Sequence, residues 1–266
     1  MKAFGAIDDW PCIAAAAVVR SGAVAGSYGD VSKPFSLASV TKLLTAATVL
    51  LGVEEGSVAL SDTIDDRGAT LADLLGHASG LAPDGSVLDE PGRRRVYSNG
   101  GYERAAQHLE VATEMAFADY LREGVLAALN MSSTVLDGSP AHAGTSTVQD
   151  LVAFVAGLGS LLAPETITMM TSPYLPELIG VLPGYGRQAP NTWGLGPEIR
   201  SAKTPHWTGS TNSPATWGHF GQAGTFLWVD PEVDVTLIVL TDRPFGDWAI
   251  DRWPALSDEV LAEVAR

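Results

Sequence analysis

The run from Lys42 to Leu51 limits what this chain can fold into more than any other feature. It reads Lys42-Leu43-Leu44-Thr45-Ala46-Ala47-Thr48-Val49-Leu50-Leu51, begins near Ser39 and ends at Gly52 or Gly56. Small and apolar residues fill nearly every position of a 3.6-residue repeat, so the spacing predicts a helix buried on most of its surface. Such a helix needs neighbours on several sides, and the chain must therefore build a layered core around it. With 266 residues, 46% hydrophobic and 18% charged, it has the material. That length allows one large domain or two interleaved ones, and the composition excludes a disordered chain.

Sixteen basic residues against thirty-one acidic ones give a formal charge of −15. Nucleic-acid binding needs clustered Lys and Arg, so that class is excluded. Lysine is scarce, with only Lys2, Lys33, Lys42 and Lys203, and one of the four opens the apolar run. The single cysteine, Cys12, excludes an intrachain disulfide and a thiolate zinc cluster, and is expected to be an inert core thiol. No segment reaches the ~18 apolar residues of a membrane span, and Asp8, Asp9 and Trp10 interrupt any signal-like N-terminus. A cytoplasmic protein without membrane association, a monomer or weak homo-oligomer, is the expectation.

Residues 13–30 read as a hairpin turning at Ser21-Gly22. Short helices are expected at 70–75, 102–109, 116–129, 151–155 and 164–171, the fourth capped by Thr147 with Asp150 at the third helical position. Residues 172–216 read as loop. Thr225–Val229 and Val233–Thr241 form a second hairpin around Asp230-Pro231-Glu232, and 248–266 is helical with Pro254 dividing it. The order strands, helices, strands, helix predicts an α/β (α+β) fold: an antiparallel sheet built from both chain ends and flanked by helices, with a reduced helical region inserted. On that reading 1–60 and 190–266 form the sheet domain and 61–189 the insertion.

Three constellations can carry chemistry. In Ser39-Val40-Thr41-Lys42 the first and last residues share a helix face, so the Ser39 hydroxyl and the Lys42 ammonium come within hydrogen-bond reach. A lysine desolvated in an apolar groove loses basicity and can take the serine proton; the same spacing also suits a helix cap with a snorkelling lysine. Tyr97-Ser98-Asn99-Gly100-Gly101 reads as a turn that can present a phenol and an amide to a cleft, or as an ordinary turn. Gly218-His219-Phe220-Gly221-Gln222-Ala223-Gly224 precedes a strand, where glycines let a ligand approach a backbone N–H donor. His77 reads as packing and hydrogen bonding. His108, His142 and His206 lack metal-ligand spacing, and no phosphate-cradling loop or Gly-x-Ser-x-Gly elbow is present. Trp193, Trp207, Trp217 and Trp228 can line a pocket or fill the core.

Together and in order, these motifs resemble those of the serine β-lactamase-like superfamily, in the branch of class C β-lactamases and penicillin-binding-protein-like esterases. Ser39-Val40-Thr41-Lys42 looks like its Ser-x-x-Lys motif and Tyr97-Ser98-Asn99 like its Tyr-x-Asn motif. His219-Phe220-Gly221 looks like the His-x-Gly form of its third motif, which is Lys-Thr-Gly in lactamases. Leu74-Leu75-Gly76-His77-Ala78-Ser79-Gly80-Leu81 is similar to its Leu-Leu-x-His-Thr-Ser-Gly-Leu segment, and the terminal hairpin to its closing strands. The likeness spans about 13–244, and the compressed gaps between motifs mark a short member with trimmed covering loops.

The resemblance implies acyl transfer without cofactor or metal. Ser39 would attack a carbonyl, Lys42 would accept its proton, and Tyr97 would shuttle protons to the leaving group. The backbone N–H groups of Ser39 and Gln222 would form the oxyanion hole, with His219 and Gly221 in the substrate-binding third motif and Asn99 on the acyl side of the substrate. A histidine in place of lysine weakens the carboxylate anchor at neutral pH, which points to a small ester or amide substrate more than to a β-lactam. The alternatives on this fold are a weak β-lactamase, a D-amino-acid peptidase, or a catalytically feeble binding or regulatory member.

Overall fold

In the computed structural model, which describes residues 1–265, strands from both chain ends meet in one sheet. The four-alanine start of β1 (Ala14–Arg20) has little bulk, so the strand fits between its neighbours with both faces covered. It pairs antiparallel with β2 (Ala23–Tyr28) on one side and with β11 (Val235–Thr241) on the other, in a register that sets Ala15 opposite Leu240 and Ala17 opposite Ile238. β10 (Thr225–Asp230), β9 (Trp217–Gly221) and β8 (Glu198–Ile199) complete the six-stranded order β2-β1-β11-β10-β9-β8.

Side-chain alternation divides these strands between two cores. Ala15, Ala17, Leu227, Ile238 and Leu240 face a layer of helices, while Ala16, Val18, Phe226, Trp228, Leu237 and Val239 face the other side. The helical layer is centred on α1 (Thr41–Glu54), whose residues from Thr41 to Leu50 are all buried, as the apolar run predicts. Around it lie α2 (Leu71–Leu75), α3 (Asn99–Thr113), α4 (Phe117–Leu121), α5 (Val148–Leu161) and α6 (Pro164–Thr171). The opposite face is closed by α7 (Asp247–Val264) and an N-terminal 3-10 helix, Lys2–Asp9. Smaller sheets are β3-β5-β4, from Phe35–Ser36, Gly144–Ser146 and Val135–Leu136, and the ribbon of β6 (Gly180–Leu182) with β7 (Gly186–Gln188).

Four local expectations are corrected. Pro254 does not divide the last helix, which runs unbroken through it. An internal proline costs about 3 kcal/mol, and the buried Trp253, Leu256, Val260 and Leu261 each return roughly 1.5–3 kcal/mol by packing on the sheet. Cys12 is half-buried rather than core, because it lies just before β1 where the chain is still emerging; burial, then the Asp242 charge, pushes its thiol pKa up. Residues 172–216 contain three short strands, held by pairing and buried polar contacts that local composition does not encode. Tyr97-Ser98-Asn99 is the entry to α3 rather than a turn: Ser98 Oγ accepts from Gly101 N–H at 2.9 Å. Gly100 is there because a Cβ would lie 2.3 Å from Gly85 Cα. Thr147 does cap α5, accepting from Asp150 N–H at 3.0 Å.

Candidate active site

Ser39 lies in a single 3-10 turn, Ala38–Val40, that feeds directly into α1. The turn is clamped at its entry, where Leu37 N–H donates to Gly144 O at 2.8 Å and Thr225 Oγ1 donates to Leu37 O at 2.9 Å. Ala38 has φ +45°, a left-handed backbone that an L-residue holds only under constraint. Gly221, at the end of β9, supplies part of that constraint. A Cβ there would lie 2.3 Å from Leu37 O and 3.1 Å from Ala38 Cβ, so only glycine lets the strand end reach the turn.

One turn further on, Lys42 Nζ lies 3.3 Å from Ser39 Oγ, as the spacing predicts. It also contacts Asn99 Oδ1 at 2.7 Å and the Ala141 carbonyl at 2.9 Å. These partners are three neutral oxygens, and the side chain is wholly buried. Burial lowers its pKa to about 7, with the charge of Glu103 opposing. The faces of Tyr97 and Tyr102, 4.7 and 5.4 Å from Nζ, partly support the charged form. In the neutral amine, two N–H groups serve Asn99 and Ala141, and the lone pair is left for the Ser39 proton.

Tyr97 closes the other side, its hydroxyl 2.7 Å from Ser39 Oγ. Burial pushes its pKa far up, despite the Ser39 hydrogen bond, so it stays a phenol and a donor. His77 holds it there. The His77 ring packs 4.6 Å from the Tyr97 ring and its Nδ1 accepts from Ser98 N–H at 3.1 Å. The packing role read from sequence is thus a positioning role as well.

His219 donates from Nδ1 to Phe220 O at 2.7 Å, and its buried Nε2 has no partner among the described residues. Burial, then the nearby Lys42 charge, lowers its pKa to about 3, so it is neutral at ordinary pH. Ser39, Tyr97, Trp193, His219 and Gln222 share a crevice of about 30 Å³ with Leu182, Pro183 and Phe220. Asn99 lies behind this crevice on Lys42, and Gly221 shapes it through Leu37 and Ala38. Of the four tryptophans, Trp193 lines the crevice; Trp207, Trp217 and Trp228 are core. Among the described residues no group of His, Cys, Asp or Glu has the arrangement of a metal site, and no helix is long and apolar enough to cross a membrane.

Sequence reasoning missed two features. The Ala141 carbonyl beside Lys42 is main chain and carries no residue signature. Behind Trp193, Glu198 accepts from Lys203 Nζ and, at 2.9 Å, from His206 Nε2 on one oxygen, and from Trp207 Nε1 at 2.6 Å on the other. Burial alone would raise the Glu198 pKa, but the Lys203 charge and His206 hold it well below the usual carboxylate range. Lys203 also donates to Thr192 O at 2.8 Å, fixing the residue before Trp193.

The Beta-lactamase family model matches residues 11–260. The chain belongs to the β-lactamase family. Within this serine β-lactamase and penicillin-binding-protein superfamily, a solved β-lactamase structure from Mycobacterium bovis is 47% identical, covers 99% of this chain and 100% of its own, and superposes with a TM-score of 0.97. Penicillin-binding protein 4* of Bacillus subtilis (strain 168) is 28% identical in an alignment of length 134 that covers 38% of this chain and 30% of that protein. The D-amino acid amidase of Ochrobactrum anthropi shares the fold at a TM-score of 0.75 and 20% identity, covering 95% of this chain and 92% of its own. Membership in the β-lactamase family supports a serine-hydrolase function with acyl-enzyme chemistry.

Proposed function

We propose that this β-lactamase-family chain hydrolyses small esters or amides through an acyl-enzyme, and that it is esterase-like more than a β-lactamase. One observation carries the reading: a buried lysine with three neutral oxygen partners and lowered basicity lies 3.3 Å from a serine that a phenol contacts at 2.7 Å. Neutral Lys42 takes the Ser39 proton as Oγ bonds to the carbonyl carbon and the carbonyl electrons move to oxygen. The backbone N–H groups of Ser39 and Gln222 stabilise that oxyanion. The carbon–heteroatom bond then breaks, Tyr97 protonates the leaving group, and Lys42 returns a proton to Tyr97. Water repeats the sequence on the acyl-enzyme, freeing the acid and restoring Ser39. Asn99 orients Lys42 through Oδ1 and meets the acyl side of the substrate through its amide NH₂.

The ester preference rests on His219. The family's lysine at that position would place a cation beside the scissile bond, whereas buried His219 is neutral and offers only Nε2 as an acceptor. The name of the Mycobacterium bovis relative favours a second reading, β-lactam hydrolysis, at 47% identity. Turnover of p-nitrophenyl acetate, a chromogenic cephalosporin and D-amino-acid amides separates the two, with intact-mass detection of the adduct. The ester should turn over fastest and the adduct should vanish in Ser39→Ala. A faster cephalosporin supports the second reading, and no adduct with any acylating probe rejects both.

A further inference from the structure

Next to the small crevice, and sharing Tyr97 and Pro183 with it as walls, lies a cleft of about 680 Å³, a volume suited to a ligand rather than to solvent alone. One wall is the loop carrying Pro83, Leu88 and Val96; the other is the β6-β7 ribbon with Ile179 and Val181. Leu88, Ile179 and Val181 are 54%, 41% and 59% exposed, so apolar surface is left uncovered along the cleft.

Its charged residues are all arginines. Arg94 is neutralised by Asp89 at 2.8 Å. Arg95 is buried, donating to the carbonyls of Gly76, Tyr174, Leu175 and Asn191. Arg187 is exposed on β7, directly across the ribbon from Val181, with no carboxylate at ion-pair distance among the described residues. No Asp or Glu lines the cleft. On a chain of formal charge −15, the lining thus sets one exposed cation without a carboxylate partner among the described residues, Arg187, in an apolar-walled cleft that shares Tyr97 with the Ser39 crevice.

We propose that this cleft seats the acyl arm of the substrate, and that the arm is an apolar chain ending in an anion that Arg187 receives. The inference rests on the hydrolase reading and specifies its substrate class. The acyl side is assigned because the acyl group stays on Ser39 through both halves of the reaction, so holding it aids attack by serine and by water alike. It also relocates the anion: with neutral His219 at the scissile bond, the cationic contact lies at the far end of the arm.

The test compares p-nitrophenyl hydrogen suberate, whose acyl chain ends in a carboxylate, with p-nitrophenyl methyl suberate, in which that end is capped. Hydrolysis of each yields p-nitrophenolate and the corresponding acid. At low ionic strength kcat/KM should favour the carboxylate-ended ester by roughly 1.5- to fivefold, as for one solvent-exposed ion pair, and salt should shrink the ratio. In Arg187→Glu the ratio should invert. An unchanged ratio in that variant, a wild-type preference for the capped ester, or hydrolysis of p-nitrophenyl acetate but of neither suberate ester would each overturn the proposal. If even the acetate leaves no adduct on Ser39, the hydrolase reading itself fails and takes the inference with it.

Discussion

Lys42 is the residue on which the proposed chemistry turns. It must be neutral to accept the Ser39 proton, and burial brings its pKa to about 7. The pH profile of kcat/KM for p-nitrophenyl acetate should therefore rise with pH around an inflection near 7 and level off above it. His219, lowered to about 3, and Tyr97, pushed far up, add no inflection in between. A bell centred well below that point would reject Lys42 as the base. Lys42→Met should lose about 10²–10⁴-fold in kcat, the usual contribution of general-base catalysis. The same shift has a stability consequence. Between the folded value near 7 and the ordinary lysine value of 10.5, the unfolded chain binds more protons than the folded one. Wild-type stability measured against Lys42→Met should therefore rise with pH across that window, by at most about 1.4 kcal/mol per pH unit. Urea titrations at several pH values read this directly, and a flat difference would mean that Lys42 is not perturbed.

At the scale of elements, the site depends on how β9 meets the turn before α1. Gly221→Ala places a methyl group against the Leu37 carbonyl and Ala38, backbone that is already clamped on both sides. Overpacking of this kind costs about 1–3 kcal/mol, and here the displaced atoms carry Ser39. Esterase activity should fall more steeply than the urea midpoint; a loss of stability with full specific activity would show that the β9 end does not set the serine's position. The elements also show what was legible in the sequence. The buried helix, the Ser39-Lys42 face, both hairpins and the Thr147 cap follow from spacing and capping chemistry within a few residues, so they could be read locally. Three features were misread for one reason. The glycines after Asn99 suggest a turn, but they accommodate Gly85 from a distant loop. Pro254 suggests a break, but packing against the sheet outweighs it. Residues 172–216 look irregular, but β8 forms on β9, and the β6-β7 ribbon, though paired with itself, is seated by a bridge from Gly180 to the distant Arg95.

At the scale of the whole molecule, a sheet drawn from both chain ends lets two cores share one set of strands, with the site at the seam beside β9. The Glu198, Lys203, His206 and Trp207 cluster is fully enclosed there and ties β8 to the segment behind Trp193. Glu198→Gln would leave Lys203 buried without its charge partner, and breaking such pairs costs about 3–5 kcal/mol. A fall in thermal midpoint of many degrees is expected, and an unchanged midpoint would show the cluster to be dispensable. The sequence by itself determined the periodicities: a helix apolar all round, strands alternating between two faces, and a serine and a lysine one turn apart. Those are properties of the backbone repeat and need no knowledge of distant residues. Only the tertiary structure decided the charge states and the cleft. The lowered basicity of Lys42, the neutrality of His219 and the placing of the Arg187-bearing ribbon on the same cleft as Tyr97 all depend on which distant segments exclude water or bring charge near, and desolvation is a property of the assembled surroundings rather than of local spacing.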